Sequence, residues 1–255
     1  MKKYLFGLLF ALVPVTAMAA GGGSVPHSMD PDLHDQASLQ NGMKLYVNYC
    51  MGCHSLNYQR FSRAADDLGM PQDLVEENLI FSSDLAYNDQ MHNAMNSGDA
   101  EGWFGAPPPD LSLKARVRGT DWIYSYLLGF YKDPSRPTGV NNTVFDLVAM
   151  PNVLEPLQGV QELVCAETDH PVEGQEPDAL SGKYQSCNVL QVTEPGELEP
   201  AEFEEAMYDL TNFLAYVGEP SKLQAQALAP KVLIFIFIFG VIAYLLKREY
   251  WRDIH

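Results

Sequence analysis

Apolar side chains recur at helical spacing in two stretches of the chain. Leu39, Gly42/Met43, Tyr46 and Tyr49 repeat every three to four residues and predict a helix over 39–49. Phe203, Met207, Leu210, Leu214 and Val217 form a second stripe and predict a helix over about 202–217. Other runs are apolar on every side. Leu5 to Val13 lies between Lys2-Lys3 and the small residues Ala17-Met18-Ala19-Ala20, the layout of a cleavable secretory leader over 1–19. Its shortness and Pro14 argue against a retained membrane helix. Val232 to Leu246 (VLIFIFIFGVIAYLL) carries no charge, and with Leu228 to Pro230 and a snorkelling Lys231 it predicts a transmembrane anchor over 227–247. Lys247, Arg248 and Arg252 follow, with Tyr250 and Trp251 among them. Basic residues with interfacial aromatics place the tail, 248–255, in the cytoplasm. The body, 20–226, is then one periplasmic domain of a single-pass protein of the inner (cytoplasmic) membrane.

Charge narrows the partners. Asp and Glu number 33 against 16 Lys and Arg, a formal net charge of -17. That balance excludes nucleic acid as a partner and argues against docking of the domain on anionic lipid. Contact with lipid falls to the C-terminal helix. Four cysteines in an exported chain call for disulfides or a cofactor.

Two of these cysteines stand in Cys50-Met51-Gly52-Cys53-His54. Cys-x-x-Cys followed directly by His is the attachment pattern of c-type haem. Two thiols add across the porphyrin vinyl groups, and the adjacent imidazole of His54 reaches the iron. Structural zinc would need four ligands, and Cys165 and Cys187 belong to no second Cys-x-x-Cys. A thioredoxin-like redox pair would follow a strand, whereas this motif follows a helical stripe. The pattern therefore predicts one covalently bound haem c.

The other axial position decides between electron transfer and an open site that binds substrate. Met70, Met91, His92, Met95, Met150, His170 and Met207 are the downstream candidates. Met207 falls on the stripe of the late helix, and Met91 to Met95 reads as helical, so these methionines fit a core. Met150 follows the apolar stretch Val144 to Ala149 and precedes Pro151, which fixes the local backbone. From the residues alone the choice stays open.

The haem motif, GWFGAPPPDLSLKARVRG (102–119), DPSRPTGVNN (133–142), VAMPNVL (148–154) and the tail anchor occur in the order found in cytochrome c1, which the chain resembles from about Leu39 onward. Cytochrome c1 is the haem subunit of the ubiquinol–cytochrome c oxidoreductase (cytochrome bc1) complex, and the likeness is greatest to proteobacterial members. The resemblance implies an all-α c-type cytochrome domain with loop insertions, plus one C-terminal transmembrane helix. It implies Met150 as the sixth ligand opposite His54, Pro108 and Pro109 in the haem pocket, and Arg116 on a haem propionate. A solvated basic face is the other reading of Arg116 and Arg118. Trp103 and Phe104 stand either on the porphyrin edge or in the core. The helix leading into the haem motif is expected to cross the late helix, with Gly42 opposite Phe213, Leu214 and Tyr216.

Cys165 and Cys187 bracket a polar insertion with few large apolar residues. A disulfide is the staple such a loop calls for, free buried thiols being the alternative, and the resemblance agrees with pairing. The expected role is single-electron transfer from the Rieske iron–sulfur protein to a cytochrome c acceptor, beside cytochrome b, without a substrate-catalytic site. Two other classes remain: a stand-alone anchored cytochrome c feeding a terminal oxidase, and a haem enzyme with an open sixth site.

Overall fold

The computed structural model describes residues 25–168 and 181–252, so the expected leader and the centre of the polar insertion, with His170, lie outside the described residues. In chain order the elements are α1 (Gln36–Leu45), a π-helical turn (Tyr46–Cys50), β1 (Leu56–Arg60), α2 (Phe61–Leu68), α3 (Gln72–Leu79), β2 (Gln90–Met91), α4 (Ser97–Phe104), α5 (Lys114–Arg118), α6 (Thr120–Leu128), β3 (Phe130–Lys132), β4 (Val140–Asn142), α7 (Glu155–Gln158), β5 (Gly159–Thr168), β6 (Tyr184–Pro195), α8 (Pro200–Gly218) and α9 (Lys222–Tyr250).

The core is the crossing of α1 and α8. Asp35 caps α1 by accepting the Ser38 amide at 3.1 Å. A reciprocal capping box, Glu199 with Glu202, starts α8, and Pro200 stands in its first turn. Leu39, Met43 and Tyr46 on one helix meet Met207, Leu210 and Phe213 on the other, all buried. Gly42 permits the approach: a Cβ there would lie 2.1 Å from the Asp209 carbonyl oxygen and 2.7 Å from the Phe213 Cβ. Asn212, wholly buried, donates to the Asp32 carbonyl at 2.9 Å and to the Ser38 hydroxyl at 3.0 Å, fastening the segment ahead of α1 to α8.

The expectation of an all-α fold is corrected. About 49% of the described residues are helical and 15% are strand. Each described sheet is a two-stranded antiparallel pair: β1–β2, β3–β4 and β5–β6. The largest correction lies at the polar insertion, whose flanks pair as a long hairpin from Gly159↔Pro195 to Thr168↔Tyr184. Those flanks hold Val160, Leu163, Val164, Val189, Leu190 and Val192, types that suit a pleated surface, so polar composition alone was a poor guide. Cys165 and Cys187 are joined by a disulfide across this hairpin. Gln161 docks it on the domain by donating to the Leu128 and Phe130 carbonyls at 3.0 and 2.7 Å.

A second correction concerns Met91 to Met95. Met91 pairs with Leu56 in the β1–β2 sheet and is fully buried, and the following residues are irregular. The Asn93 side chain accepts the Met95 amide at 3.0 Å, a local bond that competes with helix formation.

The expected anchor lies within α9, a 29-residue helix with a mean hydropathy of 2.4 in its most apolar window and none of that window buried. By length and composition it can cross a membrane.

Candidate haem-binding site

The Cys-x-x-Cys-His motif is delivered by the π-helical turn that ends α1. Its backbone closes tightly, with the Cys53 and His54 amides donating to the Cys50 carbonyl at 3.0 and 2.8 Å. Tyr49, Cys50, Cys53 and His54 thereby form one wall of a cleft of about 370 Å³. Cys50 and Cys53 are not joined to each other. Burial, and then the neighbouring Cys53, push the Cys50 thiol up to about 12.

His54 is oriented by the proline-rich segment. Its Nδ1 lies 2.7 Å from the Pro109 carbonyl oxygen. Burial is the largest influence on this imidazole and lowers its pKa, the Pro109 bond opposing. A neutral ring that donates from Nδ1 leaves the Nε2 lone pair for a metal ion.

The segment is itself stitched to the chain just beyond the motif. Leu111 donates its amide to the Ser55 carbonyl at 3.0 Å. Asp110 accepts the Asn57 and Ser112 amides at 2.8 and 2.9 Å, and the buried Ser112 hydroxyl accepts the Tyr58 amide at 3.2 Å. Pro107, Pro108 and Pro109 line the cleft as a rigid wall. Asp110 and Ser112 matter as clamps; their positions two residues apart after a proline run were the signal for a local turn.

Met150 occupies the wall formed by the loop after β4. Asn142 shapes that loop, its Oδ1 accepting the Val144 and Phe145 amides at 2.9 and 3.2 Å. Leu147 adopts the left-handed region, φ 58°, where its amide meets the Asp146 carboxylate at 2.7 Å. Phe145, Val148, Met150, Pro151 and Val153 then line the cleft together. None of Met70, Met91, His92, Met95 or Met207 lines it; Met207 is buried in the α1–α8 core and His92 is exposed.

Helices α5 and α6 close the third side. Lys114, Arg118, Trp122 and Tyr126 line the cleft, whereas Arg116 does not. Arg116 packs instead beside Gly218 of α8, whose added Cβ would lie 3.3 Å from the Arg116 Cγ. Two residues at ~100° each put Arg116 and Arg118 on opposite sides of this short helix. The Arg118 guanidinium lies over the Trp122 ring, 5.0 Å from its centroid. Phe104 also lines the cleft, while Trp103 is 67% exposed.

The residues present fit a c-type haem. Paired thiols, an imidazole with a free Nε2 and a thioether face one apolar space, with two cations at its margin. Among the described residues no group of three or more His, Cys, Asp or Glu could hold a metal ion.

Residues 27–162 match the Cytochrome C1 family. The chain belongs to the cytochrome c1 family. It is 44% identical to cytochrome c1 of Allochromatium vinosum over the whole of both chains. A protein of Nitrosomonas europaea named ammonia monooxygenase gamma subunit is 41% identical, covering 100% of this chain and 99% of that one. The mitochondrial cytochrome c1 heme protein of Saccharomyces cerevisiae is 24% identical over 87% of this chain and 71% of its own. Membership of the cytochrome c1 family implies a c-type haem and electron transfer.

Proposed function

We propose that this chain is the haem subunit of a quinol–cytochrome c oxidoreductase. It would take single electrons from a Rieske iron–sulfur protein beside cytochrome b and pass them to a cytochrome c. Cys50 and Cys53 would tether one haem c covalently, and His54 and Met150 would supply the ligands to its iron. The observation that carries the reading is the convergence of Cys50, Cys53, His54 and Met150 on one apolar cleft.

Bound haem supplies a one-electron ferric/ferrous couple. The chain's own residues do the rest. Pro109 holds His54 in register, and the Met150 thioether, a soft donor, favours the ferrous ion. Leu127, Val148, Val153, Leu210 and Leu214 exclude water from the cleft. Lys114 and Arg118, which line the cleft, would balance propionate charge in place of Arg116, which packs beside Gly218. No side chain has to act as acid, base or nucleophile.

Export by a leader over 1–19, α9 as the anchor and a cytoplasmic tail from 248 would set the haem domain in the periplasm. The acidic balance suits steering of a basic acceptor towards the haem edge.

Purification of the full chain in mild detergent tests the assignment. Co-elution with a b-type haem and an iron–sulfur centre is the expected result. A lone c-haem protein would instead indicate a stand-alone anchored cytochrome. Co-elution with a monooxygenase would favour the role that the name of the Nitrosomonas europaea relative suggests.

A further inference from the structure

Tyr126 reaches into the cleft from α6, and its hydroxyl lies 3.4 Å from the Met150 sulfur. Among the described residues that sulfur is the one hydrogen-bond partner of the hydroxyl. The ring is held on two sides. Trp122, one turn earlier, stacks on it with centroids 5.1 Å apart and planes 10° apart. Phe130 meets it edge-on, again at 5.1 Å, with planes at 72°.

One residue registers donor and acceptor together. Asn142 donates through Nδ2 to the Tyr126 carbonyl at 2.8 Å, while its Oδ1 accepts the Val144 and Phe145 amides of the loop that carries Met150. The phenol and the thioether therefore share a single anchor. A simple core tyrosine would need neither this coupling nor a sulfur at the end of its hydroxyl.

From this geometry we infer that Tyr126 is a positioning residue, donating its O–H to the Met150 thioether and so biasing the bound iron towards the ferrous state. The inference rests on Met150 being an axial ligand. A thioether sulfur has two lone pairs; with one on the metal, the other is free to accept. A hydrogen bond to it withdraws electron density. The ferric ion depends more on ligand donation than the ferrous ion, so it loses more.

The test is a redox titration of the haem-loaded full chain, with the far-red thioether-to-ferric charge-transfer band recorded alongside. In Tyr126→Phe the band should persist at a shifted wavelength. The ferrous/ferric ratio at fixed applied potential should fall about threefold, a drop of about 30 mV at roughly 59 mV per tenfold change. Trp122→Leu keeps the hydroxyl but loosens the ring. It should lower the potential by less and in the same direction, and it decides the matter if Tyr126→Phe fails to load haem. An unchanged or raised potential in Tyr126→Phe, with the band retained, overturns the inference. Met150→Leu separates the two readings. If it abolishes the band while Tyr126→Phe changes nothing, the role of Tyr126 alone fails. If Met150→Leu leaves band and potential untouched, the ligand assignment fails, and this inference fails with it.

Discussion

The hydroxyl of Tyr46 donates to the carbonyl oxygen of His54 at 2.5 Å, closing the loop that carries both cysteines. Tyr46 is fully buried against Phe213, their centroids 5.9 Å apart. Burial is the main cause that raises its pKa, followed by Cys50 and Asp110, so the group remains a protonated donor at every physiological pH. Tyr46→Phe keeps the ring and strands the carbonyl. We expect it to lower the unfolding free energy by about 1–2 kcal/mol in denaturant titrations, with haem content unchanged.

Gly42→Ala is expected to be far more damaging. Its Cβ would meet Asp209 and Phe213 backbone and side-chain atoms that belong to a packed helix and cannot rotate away. Overpacking of this kind costs about 1–3 kcal/mol where neighbours can shift, and the rigid crossing sets the cost at the upper end or beyond. The readout is a fall in denaturation midpoint together with a fall in haem-loaded yield.

Arg118 and Arg116 make a paired test of the cleft. Arg118 lines it over Trp122, whereas Arg116 packs on α8. Removing a cation beside the haem favours the ferric form, so Arg118→Leu should lower the midpoint potential, on the order of tens of millivolts. Arg116→Leu should move it much less. Equal shifts in the two variants would show that side-chain position does not matter here.

This pair also marks what was legible in the chain beforehand. The haem motif, the proline run and Met150-Pro151 are each short runs of neighbours in sequence, so they could be singled out from the residues and the family resemblance, and the structure brings all three to one cleft. The α1 and α8 stripes were equally visible, because each buries one continuous face. Arg116 against Arg118 depends on where a five-residue helix begins, and spacing does not settle that. The β5–β6 hairpin was hidden because its polar composition masked β-branched flanks. Tyr126 belongs to no motif in the chain; only the folded loop brings Met150 to its hydroxyl.

A prediction in pH comes from the turn before β4. The Asp133 carboxyl is held below the usual carboxylate range by the Ser135 hydroxyl and amide, with Asn141 assisting. A depressed pKa in the folded state means that its contribution is present above the unfolded value of 3.8 and is lost as pH falls through the lower folded value. Asp133→Asn should therefore lower the melting temperature slightly at neutral pH, by a difference that shrinks below about pH 4 and so flattens the acid limb of the profile.

The account turns on His54 and Met150 holding one iron between them. The most direct measurement is near-infrared magnetic circular dichroism of the ferric, haem-loaded full chain beside its Met150→Leu variant. The account predicts a thioether-to-ferric charge-transfer band in the native protein that disappears in the variant. A native spectrum without that band, or a variant that retains it, would contradict the account.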